Sequence, residues 1–286
     1  MIMMKTANSD QREYWNSASA TKWVTLEDEL SATHRNVTRA LIDAAGIAPG
    51  AHVLDIGCGT GASSRAAALA AGHEGHVSAV DISEELLERA GHHGAPADGA
   101  RIEFLLADAQ VHDFPPAWYD AVISQIGIMF FEDPVAGFAN LLAATRPGGQ
   151  ITFVCWRRGA DNAWFAKARE IAVAHLGDVP DDPDAPGPVA FADEEKVCRL
   201  LTKGGWRQAH AERVPIDLTP PGGPAETAGM TTRLGPAARI IRAYQPGQAQ
   251  IDAIAADIAR YLEQFHTREG MRIPVVLNRF TAQTPG

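Results

Sequence analysis

The 286-residue sequence has little cysteine: Cys58, Cys155 and Cys198 stand far apart, and none belongs to a CxxC pair. An odd number at such spacing fits a reducing compartment and excludes a cysteine zinc site, so each is read as a small buried hydrophobe. Positive charge is also short. Lysine and arginine number 25 against 35 aspartates and glutamates, a formal net charge of −10. Binding nucleic acid needs a surplus of cations facing the phosphates, so no nucleic-acid partner is expected. Long apolar runs are missing: the most apolar short stretch, 65–71, is far below the roughly 20 residues that cross a bilayer. The opening MIMMKTANSDQREYW turns polar at once and carries no apolar stretch of the kind a secretion signal needs. These absences together lead us to expect a cytoplasmic protein with no membrane partner. Metal-ligand spacing is absent as well. The adjacent His92 and His93 face opposite ways, and no metal is predicted. His73, His76, His92 and His93 are assigned to solvated helix ends and loops.

Hydrophobic residues make up 46% and charged residues 21%, the composition of an ordinary globular protein with a sizeable core. The length suits one α/β core carrying an elaboration. Residues 10–30 read as one helix and 33–46 as a second, closed by Gly46 in the place of a C-terminal glycine cap. Strands follow at 52–56, 75–81, 101–108, 118–125 and 150–156. Helices separate them, one with Ser83 as N-cap and one over 133–149. Apolar strands alternating with helices mean βαβ crossovers, hence a doubly wound, mostly parallel sheet with its ligand at the carboxyl ends of the strands. Beyond Trp156 the reading is a helix over 162–177, a proline-dense acidic loop over 179–193, a helix capped by Asp193, and a sixth strand over 206–218. A mostly helical stretch and a last strand over 272–282 complete the chain. The expected division is a helical lid (1–46), a Rossmann-like core (47–218), a helical insertion or cap (219–270) and the core's last strand (271–286).

VLDIGCGTGASS, residues 53–64, runs a strand into three alternate glycines and then a helix. Such a turn lets backbone approach a cofactor closely at a helix N-terminus. Gly57, Gly59 and Ala62 satisfy the dinucleotide pattern G-x-G-x-x-G/A, and Asp81 stands about twenty residues on, where a ribose-binding acid belongs. Asp55 argues the other way. A carboxylate two residues before Gly57 would repel a pyrophosphate and suits a ligand with a positive amino group. Asp81 can accept hydrogen bonds from a ribose diol, and Asp108, at the third strand end, can accept one from an adenine amino group. Ammonium, diol and aminopurine occur together in S-adenosylmethionine.

VLDIGCGTG, then VDIS, ADAQ, YDAVISQIGIMFF and RPGGQITFVCW, resemble the class I S-adenosylmethionine-dependent methyltransferases, in the bacterial small-molecule branch related to quinone-biosynthesis enzymes. The similarity covers roughly residues 14–206 and is strongest in its first two-thirds. It implies a seven-stranded sheet whose last strand is antiparallel and lies beside strand six. It also implies S-adenosyl-L-methionine as cofactor, with Asp55, Gly57, Gly59 and Gly61 around its methionine portion. Asp81 and Ile82 would lie at the ribose, Asp108 and Ala109 at the adenine, and Gln125 near the sulfonium.

Methyl transfer from a sulfonium needs alignment in a dry site, and a general base only where the acceptor must lose a proton. His34 is the candidate base, placed where the family's N-terminal helices fold over the active site; a helix-cap role is its other reading. Tyr14, Trp15, Trp23, Met129, Phe130 and Trp156 are the expected apolar walls of the substrate pocket. The expected partner is a small-molecule methyl acceptor taking the group on oxygen, nitrogen or carbon, with a homodimer through the insertion a further expectation. Two other readings stay open: a non-catalytic protein that keeps the nucleotide fold, and a nicotinamide-dependent dehydrogenase, against which Asp55 counts.

Overall fold

The computed structural model describes residues 7–180 and 185–285. Seven strands pair into one sheet: β1 (His52–Ile56), β2 (His76–Asp81), β3 (Arg101–Leu106), β4 (Tyr119–Gln125), β5 (Thr145–Trp156), β6 (Arg207–Leu218) and β7 (Ile273–Gln283). Their order is β3-β2-β1-β4-β5-β7-β6. The first five are mutually parallel, while β7 runs antiparallel between β5 and β6. Chain direction across the sheet reverses between β1 and β4, and the crevice at that switch point is where such sheets bind ligands. The architecture is the one expected.

Central strands read as continuous apolar runs because helices cover both faces. β1 buries Val53, Leu54, Asp55 and Ile56, and β2 buries everything after His76. Edge strand β3 alternates exposed and half-buried positions. Helices α4 (Arg35–Ala45), α5 (Ala62–Ala71), α6 (Glu84–His93) and α7 (Pro134–Ala144) flank the sheet, followed by α8 (Ala163–Leu176) and α9 (Glu194–Lys203). The caps read from sequence are in place. Gly46 ends α4 at φ 54°, Ser83 Oγ accepts from the Leu86 amide, and Asp193 accepts from the Lys196 amide. Under β4, β5 and β7 the core is aromatic. Phe153 stacks on Phe280 with centroids 5.0 Å apart and on Phe138 at 5.8 Å, while fully buried Trp206 donates to the Phe138 carbonyl at 2.8 Å.

Three readings need correction. The single helix over 10–30 is three: α1 (Ser9–Trp15), α2 (Ala18–Thr25) and α3 (Glu27–Thr33). At the end of α1 the Asn16 side chain ties the helix to a neighbour, donating to the Arg12 carbonyl at 2.7 Å and the Ile82 carbonyl at 3.0 Å and accepting from the Glu84 amide at 3.0 Å. Ser17 then caps α2 by accepting from the Ser19 amide, the competition that polar side chains offer to a continuing helix. β5 begins at Thr145 rather than at Gln150, its RPGG segment extending the strand past a register shift opposite β4. His76 lies in β2, not in a loop, and His93 is held at 2.7 Å by the buried carboxylate of Glu27.

The segment between β6 and β7 forms α10 (Pro224–Thr231), α11 (Pro236–Tyr244) and α12 (Gln248–Leu262), then a hairpin pairing residues 266–267 with 270–271. α11 and α12 pack on α8, fastened by His175 to Asp257 at 2.8 Å and Tyr244 to the Asp178 carbonyl at 3.0 Å. Thr219, where the segment begins, donates through its amide and its hydroxyl to the carbonyls of Thr33 and Ala32. The insertion therefore touches the N-terminal helices. Among the described residues, no helix is long and apolar enough to cross a membrane.

Candidate functional site

The glycine turn is shaped by close backbone contact. Gly57 (φ 65°) leaves no room for a side chain, since a Cβ would come within 2.8 Å of the Gly127 Cα beyond β4. Gly59 (φ 55°) differs: nothing lies within 4 Å of where its Cβ would stand, so this part of the loop faces open space. Gly61, also left-handed at φ 84°, caps α5. The amides of Gly57 and Cys58 donate to the Val80 carbonyl and that of Gly59 to Asp81 Oδ2 at 2.8 Å. The first half of the turn thus spends its amides on β2. Ser124 completes the brace: its hydroxyl donates to the Ile56 carbonyl at 2.7 Å and accepts from the Ile128 amide at 3.0 Å.

Three carboxylates converge on the carboxyl ends of β1, β2 and β3. Asp55 is fully buried, with Oδ2 accepting from the Ser63 and Ser64 hydroxyls at 2.7 and 2.6 Å. It therefore holds two hydroxyls of α5, not the amides of the turn. Burial pushes its carboxyl up to about 6; the two serine hydrogen bonds oppose this, and the negative charge of Asp81 adds to it. Asp81 accepts from the Gly59 and Ser83 amides, and burial raises its carboxyl despite those bonds. Asp108 Oδ1 accepts from Asn8 Nδ2 at 2.8 Å and from the Gln110 amide at 3.0 Å.

Of these three acids, Asp55 and Asp108 each keep one buried oxygen, Oδ1 and Oδ2 respectively, without a hydrogen-bond partner. Buried polar atoms are nearly always satisfied, so orphaned acceptors on both sides of a strand-end crevice mark places where a ligand's donors belong. Ala109 is buried beside Asp108, with its carbonyl accepting from Asn140 Nδ2. Ile82 is half-buried and gives its carbonyl to Asn16.

At the end of β4, Gln125 Oε1 accepts from the Thr38 hydroxyl of α4 at 2.7 Å. The next residue, Ile126, is left-handed at φ 60°. A β-branched side chain there costs about 1–3 kcal/mol, strain of the kind that functional sites retain. His34 joins α3 to α4 one turn before Thr38. Its Nδ1 lies 2.8 Å from the Leu30 carbonyl, and a carbonyl can only accept, so Nδ1 carries the proton and Nε2 keeps its lone pair. Burial lowers the pKa of the ring, which leaves it neutral at pH 7. The ring meets Trp156 edge-on at 5.9 Å. His34 thus stands at the junction of α3 and α4, makes no side-chain cap bond to α4, and faces Trp156 at the end of β5.

The six expected wall residues divide. Trp15 is the hub of one cluster, edge-on to Tyr14 at 5.1 Å, Phe130 at 5.4 Å and Trp23 at 5.9 Å. Trp156 belongs to another, with His34 and Phe165. Met129 is 1% exposed and packs in the main core. Asn8, Ser63, Ser64, Gln110, Thr38 and Ser124 were not foreseen. The serines directly after the glycine turn were the one legible sign, because hydroxyls in the first turn of α5 face back toward β1.

Residues 53–149 match the model of a methyltransferase domain. An uncharacterised protein of Mycobacterium tuberculosis is 38% identical over 116 residues, 41% of this chain and 41% of that protein. A ubiquinone/menaquinone biosynthesis C-methyltransferase of Burkholderia vietnamiensis is 35% identical over 133 residues, 46% of this chain and 54% of the other. The chain thus matches about half or less of these relatives' length. Among solved structures, phosphoethanolamine N-methyltransferase 2 of Haemonchus contortus, in complex with S-adenosyl-L-methionine, superposes with a TM-score of 0.54 at 19% identity. The superposition covers 87% of this chain and 52% of that one, and the likeness is one of fold.

Proposed function

We propose that the chain is a class I S-adenosylmethionine-dependent methyltransferase related to the quinone-biosynthesis enzymes, a reading supported by the methyltransferase-domain match over residues 53–149 and the 35% identity to a quinone-biosynthesis C-methyltransferase, and that it transfers a methyl group from S-adenosyl-L-methionine to an oxygen, nitrogen or carbon of a small metabolite. The observation that carries this reading is the pair of orphaned, buried carboxylate oxygens on Asp55 and Asp108. They fit the donors at the two ends of the cofactor, its ammonium and its adenine amino group, with Asp81 between them for the ribose. A pyrophosphate would offer Asp55 only repulsion, which disfavours the dinucleotide reading.

When bound, the cofactor supplies an electrophilic methyl on a sulfonium. The chain's own share is binding, orientation and exclusion of water. In this reading Asp55, Gly57, Gly59 and Gly61 receive the methionine portion, Asp81 and Ile82 the ribose, and Asp108 and Ala109 the adenine. Gln125, fixed by Thr38, lies at the reacting end. Trp15, Trp23 and Phe130 wall off one side of the crevice and Trp156 the other, so that the acceptor is aligned in a low-dielectric space. His34 Nε2 takes the proton of an acceptor hydroxyl or amine where one must leave. The insertion, α10 to α12, closes the site from above the lid, and its outer faces are where a second copy would dock.

Isothermal calorimetry with S-adenosylhomocysteine tests the cofactor. Micromolar binding is expected for the parent, at least a hundredfold weaker binding for Asp81→Ala, and none for Gly57→Val, whose Cβ meets Gly127. A parent protein that binds nothing at millimolar ligand overturns the proposal.

A further inference from the structure

A second pocket lies between the lid and the insertion, away from the strand-end carboxylates. Its volume is about 50 Å³, and its lining includes Tyr14, Ser19, Lys22 and Trp23 from the lid and Arg233 and Arg242 from the insertion. This is space for a carboxylate or a phosphate, not for a whole metabolite. Its charge is one-sided. Lys22, Arg233 and Arg242 line it, and no acid is among its lining residues, on a chain whose net charge is −10; Arg239, also at its wall, donates to the Pro180 carbonyl. Gathering cations against one another costs free energy unless an anion joins them.

Local geometry adds to that. Arg242 lies over the Tyr14 ring, 5.9 Å from its centroid. Burial would raise the Tyr14 phenol, but hydrogen bonds with Ser19 and Arg242 and the charges of Arg242 and Lys22 outweigh it and lower its pKa. Negative charge is therefore favoured at this spot. Gly235, at the same pocket, is the N-cap of the nine-residue α11 and supplies no side-chain acceptor to its first amides. A helix start without a cap presents N–H donors and the positive end of its dipole. Arg233 is steadied by its Nε donating to the Gly229 carbonyl at 3.1 Å.

A chain of ring contacts runs from the pocket toward the end of β4. Tyr14 touches Trp15, and Trp15 touches Phe130, which follows β4. We propose that this pocket holds the anionic group, carboxylate or phosphate, of the methyl acceptor, whose apolar or aromatic body lies along Trp15, Trp23 and Phe130 toward the end of β4. The acceptor is then an apolar acid. Its role as acceptor rests on the methyltransferase reading; the anion site itself does not.

The full-length protein, saturated with S-adenosylhomocysteine, is titrated with benzoate, phenyl phosphate and neutral benzamide, following Trp15 and Trp23 fluorescence and the heat of binding. At least one anion is expected to bind tenfold or more tightly than benzamide. The better of the two identifies carboxylate or phosphate. In Lys22→Gln/Arg242→Gln that preference is expected to fall at least tenfold, with S-adenosylhomocysteine binding unchanged. Tyr14→Phe, which keeps the ring, is expected to weaken the anion less. Equal affinity for all three compounds, no binding of either anion, or an undiminished preference in the double variant overturns the proposal. Charge-dependent anion binding in a protein that ignores S-adenosylhomocysteine overturns the methyltransferase reading instead and leaves the site standing.

Discussion

Asp55 braces the first turn of α5 through one carboxylate oxygen and, in the proposed reading, offers the other to the cofactor. Its carboxyl titrates near 6, against an ordinary 3.8. At about 1.4 kcal/mol per pH unit, the ionised form costs the fold on the order of 3 kcal/mol. The sign follows from which state holds the proton. Between pH 4 and 6 the folded protein binds it and the unfolded chain does not, so this group's contribution becomes less favourable as pH rises through that window. The full cost is present above it. A cationic ligand group beside Asp55 selects the ionised form, so affinity for S-adenosylhomocysteine is expected to be about tenfold weaker at pH 5 than at pH 7.5. Calorimetry at the two pH values checks this, with Asp55→Asn expected to show no such difference. His34 carries a separate prediction. With Nδ1 committed to Leu30, His34→Gln is expected to lower kcat by about 10²–10⁴ for an acceptor that loses a proton, with little change in KM, and to remove the low-pH limb of the rate profile. An unchanged kcat would leave His34 a helix junction alone.

The lid is where the sequence misleads as to elements. Its three short helices are each too short to be stable alone, and their position comes from contacts with the core. Glu27 makes one of these: 4% exposed, it accepts from Arg89 and His93 of α6. Burial raises its carboxyl, but the bonds from His93 and Arg89 outweigh it and the net shift is downward. The pairing therefore supports the fold at pH above the ordinary glutamate range, and that support is lost as pH falls through the lowered value. Glu27→Gln is expected to cost about 1–3 kcal/mol and to release the lid. Limited proteolysis within residues 7–33 should quicken while the core stays intact; equal cleavage of variant and parent would assign the lid's anchorage elsewhere. The core elements, by contrast, were legible. β1, β2, β4, α6 and α9 lie within a residue or so of their expected places, because alternation, apolar runs and the Ser83 and Asp193 caps are encoded by neighbours in the chain. The break at Asn16 was not; the partners its side chain finds there, at Ile82 and Glu84, are distant in sequence.

For the whole molecule, the sequence by itself determined the βαβ order, the left-handed glycine turn and the placement of Asp55, Asp81 and Asp108 at successive strand ends. These depend on local periodicity and on the conformations that glycine alone adopts freely. Only the tertiary structure decided which of those acids keeps an oxygen free. It also decided that Asn8 reaches Asp108, that Thr38 of α4 fixes Gln125 of β4, and that Met129 turns into the core while Trp15 gathers Tyr14, Trp23 and Phe130. The facing of Tyr14 by Arg242 belongs to the same class. The physical reason is common to all of them. A strand or a cap is stabilised by residues a few positions away, whereas a hydrogen bond or ring contact between distant segments exists only once the helices have docked. Docking is set by how side-chain volumes fill the space above the sheet, which no stretch of sequence specifies alone.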